Sequence, residues 1–217
     1  MAYIIKNFID TDLALKIKDI SLSNPFAYSD HHPDYSDKLQ WENSPVLEEA
    51  MELLYPSLDT HLPEYDIDKH PNFQRVYIPF GIHHDSKKRH NLNRPDEDCT
   101  PDSVAILIPM DEGPYFNTVF WKEKHFDTQS MLDEFNEFGM LEQSELKNTG
   151  IGDEYDLAFS WEDTRPGYQL YNHLTLDCVF NWKIGDAAVF DRTQLHAATD
   201  FTKHCPFKDA ITIFFNH

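Results

Sequence analysis

Cysteine is scarce in this chain: three residues among 217, Cys99, Cys178 and Cys205, with no C-x-x-C pair. An odd, widely spaced set of this kind indicates neither a disulfide framework nor a zinc knuckle, and reduced thiols are expected. Glycine is rarer than proline, 7 against 13, so loops are stiffened more than loosened, and no repeat or interdomain linker is visible. Long apolar runs are missing as well. The run from Val104 to Met110 falls far below the roughly 20 residues of a membrane span, and Met1 to Ile20 carries acidic residues where a signal peptide would be apolar. The expectation is a soluble cytoplasmic protein with no membrane partner. Positive charge is the last shortage. With 18 Lys and Arg against 38 Asp and Glu, the net charge is −20, which repels phosphate backbones and excludes nucleic acid as a simple electrostatic partner. H-E-x-x-H, G-x-S-x-G, the P-loop and the Rossmann glycine pattern are all absent, so metalloprotease, hydrolase and nucleotide-binding readings have no support.

Aromatic residues, by contrast, are plentiful. The 16 Phe, 10 Tyr and 4 Trp, within 41% hydrophobic residues, suffice for a packed core, and the length fits one domain over 1–217. Ala2 to Lys6 reads as a short strand and Asp12 to Ile20 as a helix. Ser21 to Asn43 reads as polar loop. Ser44 offers an N-cap and Pro45 a first helical position for a helix ending before Pro56. From Phe73 the texture turns to strand: Phe73 to Ile82, Ser103 to Met110, Asn117 to Trp121, Ala187 to Phe190 and Ala210 to Phe215. Thr128 to Leu146 has apolar residues at helical spacing and reads as an inserted helix. The expected fold class is an all-β core, sandwich or barrel, with N-terminal and inserted helices, α+β overall.

Twelve histidines in an acidic chain make accidental ligand patterns common. His-x-Asp occurs three times. His32 with Asp34 lies in a loop, and Asp127 beside His125 is more simply an N-cap. His83 and Asp85 end the strand that begins at Phe73, and residues two apart in extended chain share a face, so both could reach one ion. Read back at period two, the same face holds Tyr77 and Arg75, unless Pro79 and Gly81 break the alternation. A third ligand is needed, and His173, His196, His204 and His217 compete for the place. Context favours His196, which follows a Gly185-Asp186 turn and the apolar strand Ala187 to Phe190.

Two histidines and one carboxylate form the facial set that suits Fe(II) and leaves three positions open. A 2-oxo acid can occupy two and O₂ the third. Its far carboxylate then needs a cation, for which Lys208 is suitably placed, with Arg192 and Arg75 as rivals. At these residues the chain resembles the Fe(II)- and 2-oxoglutarate-dependent oxygenases over roughly 73–215. The resemblance rests on His83-x-Asp85, SVAILIPM, NTVFW, GDAAVFDRTQLHA and Lys208 in FKDAITIFF. It implies a double-stranded β-helix (jelly-roll) core. It also implies Fe(II), the cosubstrate 2-oxoglutarate and O₂ at His83, Asp85 and His196, with hydroxylation of an amino-acid, peptidyl or small-molecule C–H bond. By the same resemblance Tyr77 corresponds to the tyrosine that prolyl-hydroxylase-type members place before H-x-D, and Thr118 lies on a strand that lines the cosubstrate pocket. Two alternatives remain open. One is a cupin-type metal protein, although no Glu follows between Ser86 and Arg89; the other is a non-catalytic β-sandwich binding module. The loops Ser21 to Asn43, Lys87 to Asp102 and Asp153 to His173 are expected to shape the substrate pocket, with Trp161, Arg165 and Tyr168 as contacts.

Overall fold

The runs rich in Val, Ile and Phe pair into two antiparallel sheets in the computed structural model, which describes residues 1–23, 27–28, 36–39, 45–67, 72–79, 85, 104–124 and 175–216. The large sheet contains β1 (Tyr3–Ile5), β9 (Ala187–Asp191), β6 (Val104–Pro109), β11 (Lys208–Asn216), β5 (Asn72–Val76), β3 (Ser36–Leu39) and β2 (Ala27–Tyr28), in that order. A short β4 (Asp66–Ile67) also pairs with β11. The small sheet has β7 (Asn117–Lys124) between β10 (Gln194–Ala198) and β8 (Leu176–Asn181).

Side-chain alternation gives the large sheet two buried faces. Ala105 of β6, Ala188 and Phe190 of β9 and Ala210 of β11 turn toward the small sheet, where they meet Phe120, Phe180, Trp182 and Phe201. Their neighbours Ile106, Ile108, Val189, Ile211 and Ile213 turn the other way. There they pack on Ala14 and Ile17 of α1 (Thr11–Leu22) and on Ala50, Leu54 and Leu58 of α2 (Pro45–His61). The architecture is a β-sandwich with two helices on the outer face of its larger sheet. Among the described residues no helix is long and apolar enough to cross a membrane.

Local chemistry accounts for the element ends. Asp10 caps α1 by accepting from the Asp12 and Leu13 amides at 2.9 and 3.4 Å. The Gly185-Asp186 turn is a tie to the N-terminal segment. Gly185 has φ +92°, and a Cβ there would lie 2.8 Å from the Ile9 carbonyl oxygen, while Asp186 accepts from the Asn7 amide at 3.0 Å and Lys6 Nζ at 2.7 Å.

Several expectations are corrected. Helix α2 runs through Pro56 to His61 instead of ending before it. The proline costs about 3 kcal/mol in a helix interior, whereas Leu58 and Leu62 beyond it, each 3% exposed, return roughly 1.5 to 3 kcal/mol apiece on burial. The stretch read as loop from Ser21 to Asn43 contains β2 and β3; β2 pairs with β3, and β3 pairs with β5, a long-range pairing that leaves no local signal. Strand β8 was not anticipated, and His196, beyond the strand at Ala187 as expected, lies within a further strand of its own. Strand β5 stops at Val76 and the chain bends at Tyr77 and Ile78 before Pro79, so period-two alternation does not carry from Arg75 to Asp85. The inserted helix Thr128 to Leu146, and the loops with Trp161, Arg165 and Tyr168, lie outside the described residues.

Candidate active site

His196 enters the sandwich interior from β10, opposite Phe120 of β7, just after a register shift between Gln194 and His196. Its ring lies 5.7 Å from that of Phe120 and 4.8 Å from that of Phe190, and the residue is 6% exposed. Nδ1 is 3.0 Å from the Gln194 carbonyl oxygen. A carbonyl only accepts, so Nδ1 carries a hydrogen, and Nε2 is the nitrogen through which a neutral ring would ligate. Nε2 faces Asp85 Oδ2 at 3.6 Å. A histidine nitrogen and a carboxylate oxygen at this separation suit a cation between them; ligand atoms roughly 2 Å from a shared ion stand about 3 to 4 Å apart. The main chain holds Asp85 in place: its amide donates to the Arg192 carbonyl at 2.8 Å, and Arg192 Nη2 donates to the Asp85 carbonyl at 3.4 Å.

A second polar group is buried deeper in the same interior. Lys208 opens β11 and is 3% exposed. Its ammonium sits 4.0 Å from the centroid of Trp182 and 5.1 Å from that of Phe201, and among the described residues no carboxylate lies within ion-pair distance. Burial pushes its pKa down to about 7, with the charge of Asp111 opposing the shift. Trp182 is itself oriented, donating from Nε1 to Thr118 Oγ1 at 2.9 Å. A buried amine that, among the described residues, meets only ring faces is suited to an anion from outside.

No protein-family model and no curated protein matches the chain. Solved structures do. HygX from Streptomyces hygroscopicus, with nickel and 2-oxoglutarate bound, superposes with a TM-score of 0.59 at 12% identity, over 99% of this chain and 82% of that one. SnoN, a non-heme alpha ketoglutarate dependent epimerase from nogalamycin biosynthesis, gives 0.56 at 10% identity, over 99% and 77%. An N-substituted L-amino acid dioxygenase from Burkholderia ambifaria AMMD, in complex with alpha-KG, gives 0.50 at 13% identity, over 98% and 81%. The chain has the fold of the Fe(II)- and 2-oxoglutarate-dependent oxygenases.

Within this oxygenase fold the sequence-predicted residues separate into groups. Asp85, His196 and Arg192 come together, and Lys208 and Thr118 meet through Trp182. His83 lies outside the described residues. Arg75 does not join them: it is register partner to Asp209, and its guanidinium grips that carboxylate on the helix side of the sheet at 2.8 and 2.9 Å. Tyr77 packs edge-on to Phe207, over which Arg75 also lies. Three contributors were not foreseen. Trp182 and Phe201 cradle Lys208, and Gln194 fixes the carbonyl that orients His196, donating from Nε2 to the Trp121 carbonyl at 2.7 Å and to Asp177 at 2.8 Å. The sequence position of Gln194, two before the histidine, is the one signal it offers.

Proposed function

We propose that this chain is an Fe(II)- and 2-oxoglutarate-dependent dioxygenase that hydroxylates a C–H bond of an amino-acid, peptidyl or small-molecule substrate. In this reading the sandwich is a double-stranded β-helix and residues 1–217 act as one oxygenase domain. The observation that carries it is the pairing, in one interior, of the opposed His196 Nε2 and Asp85 Oδ2 with a buried lysine that lacks a carboxylate partner among the described residues. Asp85 and His196, with His83, hold the Fe(II). Bound iron supplies the oxidative decarboxylation in which 2-oxoglutarate and O₂ give succinate, CO₂ and one oxygen atom for the substrate. Arg192 keeps the Asp85 backbone in place through both its carbonyl and its side chain. Lys208 pairs with the far carboxylate of 2-oxoglutarate, and Thr118 holds the tryptophan ring beneath that ammonium. Phe120, Phe190 and Phe201 keep water from both ends of the cosubstrate. A cupin or a simple binding module has no use for the buried lysine.

Anaerobic titration tests the reading. With Fe(II) and 2-oxoglutarate the protein should develop a weak visible charge-transfer band, and a screen of amino acids and peptides should find substrates that stimulate succinate release. His83→Ala and His196→Ala should each abolish stoichiometric Fe(II) binding, because a lost ligand opens the site. Loss of metal from His125→Ala but not from His83→Ala would show the wrong His-x-Asp pair to have been chosen, and tight metal binding without 2-oxoglutarate consumption would favour the cupin.

A further inference from the structure

We propose that Asp209, with Arg75, Lys18 and Asp111, forms a positioning cluster that aims Lys208 at its anionic ligand. The proposal rests on the reading of Lys208 given above and extends it to the opposite face of the sheet. Asp209 is fully buried on the helix side, one residue from Lys208. Arg75 of β5 holds both its carboxylate oxygens, Nε to Oδ1 at 2.8 Å and Nη2 to Oδ2 at 2.9 Å. Lys18 of α1 stands 3.8 Å from Oδ2 and donates to Asp111 Oδ1 and to the Met110 carbonyl at 2.5 and 3.0 Å. Asp111 Oδ2 in turn accepts the Asp209 backbone amide at 2.6 Å. Two carboxylates and two cations thus tie the ends of β5, β6 and α1 to one residue of β11.

Hydrophobic residues of similar volume often stabilise a fold as well as buried ions do, so stability alone is a weak account of the cluster. Fixed direction is a better one. Successive side chains of a strand leave on opposite faces; clamping Asp209 toward the helices therefore sets the direction in which Lys208 leaves toward the small sheet. The lysine needs such guidance, because its ammonium stands at the end of a long stem against ring faces that restrain it weakly. Asp111 also acts through space, its charge favouring the ammonium form of Lys208.

The test is the dissociation constant of 2-oxoglutarate from anaerobic Mn(II)-loaded protein, measured beside Mn(II) affinity and steady-state constants. Asp209→Asn and Arg75→Met should each weaken 2-oxoglutarate binding about tenfold, leaving Mn(II) affinity and kcat at saturating cosubstrate near the wild-type values. Arg75→Lys should recover part of the loss. In a Lys208→Met background, Asp209→Asn should add no further weakening. Arg75 lies near the edge of the cluster, so Arg75→Met carries the test if Asp209→Asn does not fold. A wild-type 2-oxoglutarate constant in the folded cluster variants, or an equal loss in the Lys208→Met background, overturns the proposal. Should Lys208→Met alone leave the constant unchanged, the reading of Lys208 itself falls; should it weaken binding while the cluster variants do not, positioning alone falls.

Discussion

On the function proposed above, Lys208 is subject to two opposing demands: burial disfavours its charge, and an anionic cosubstrate requires it. Its pKa in the ligand-free fold is about 7 against an ordinary 10.5. Between those values the unfolded chain holds a proton the folded chain lacks, so the stability of the ligand-free protein should rise with pH across that window. Replacing the lysine with methionine should remove this slope, as pH-dependent urea denaturation would show. The same replacement should stabilise the ligand-free protein while raising the apparent 2-oxoglutarate constant by two orders of magnitude or more, since an opposed buried charge is worth about 3 to 5 kcal/mol. Above pH 7 the dianion must draw a proton back onto the amine. Affinity should therefore fall as pH rises, and calorimetry in buffers of different ionisation enthalpy should detect proton uptake on binding. At this scale the sequence nominated side chains from local patterns, His-x-Asp and a later Gly-Asp turn, and of these the structure brings Asp85 and His196 to 3.6 Å. The sequence was silent on Trp182, Phe201 and Gln194, whose roles arise from the packing of strands distant along the chain.

Elements were legible where their pattern is contained in a dozen residues. The apolar spacing of α1 and the Val- and Ile-rich strands β6, β9 and β11 could be read directly. Strands β2 and β3 could not, because SDKL becomes a strand only through register with NFQRV of β5. The local penalty at Pro56 is likewise outweighed by leucines that meet the sheet. The tie between the Gly185 turn and the N-terminal segment makes a prediction at this scale. Gly185→Ala would place a methyl group 2.8 Å from the Ile9 carbonyl at a φ of +92°, and should cost about 1 to 3 kcal/mol. Urea denaturation should show a lower midpoint with an unchanged slope, and 2-oxoglutarate binding in the folded fraction should be preserved.

For the molecule as a whole, a charge of −20 would oppose the dianionic cosubstrate of the proposed function on its way to the buried lysine. Screening should relieve that repulsion, so stopped-flow association of 2-oxoglutarate should accelerate as salt rises from about 10 to 150 mM. A lower rate at higher salt would place a local positive field at the site entrance. The position of β11, bonded to β4, β5 and β6, has a different consequence, for how this protein can change in length. Lys208 and Asp209 serve compartments on opposite sides of one sheet, and a strand slipped by one residue exchanges every inward side chain for its outward neighbour. A single deletion inside β11 would carry aspartate toward the small sheet and lysine among the helices, reversing the charge in both compartments. The turn at 202–204 before it can absorb the same change without inverting anything. Descendants of this chain can thus gain or lose residues on the approach to β11, whereas within the strand only substitutions, or insertions and deletions in pairs, preserve the division of charge.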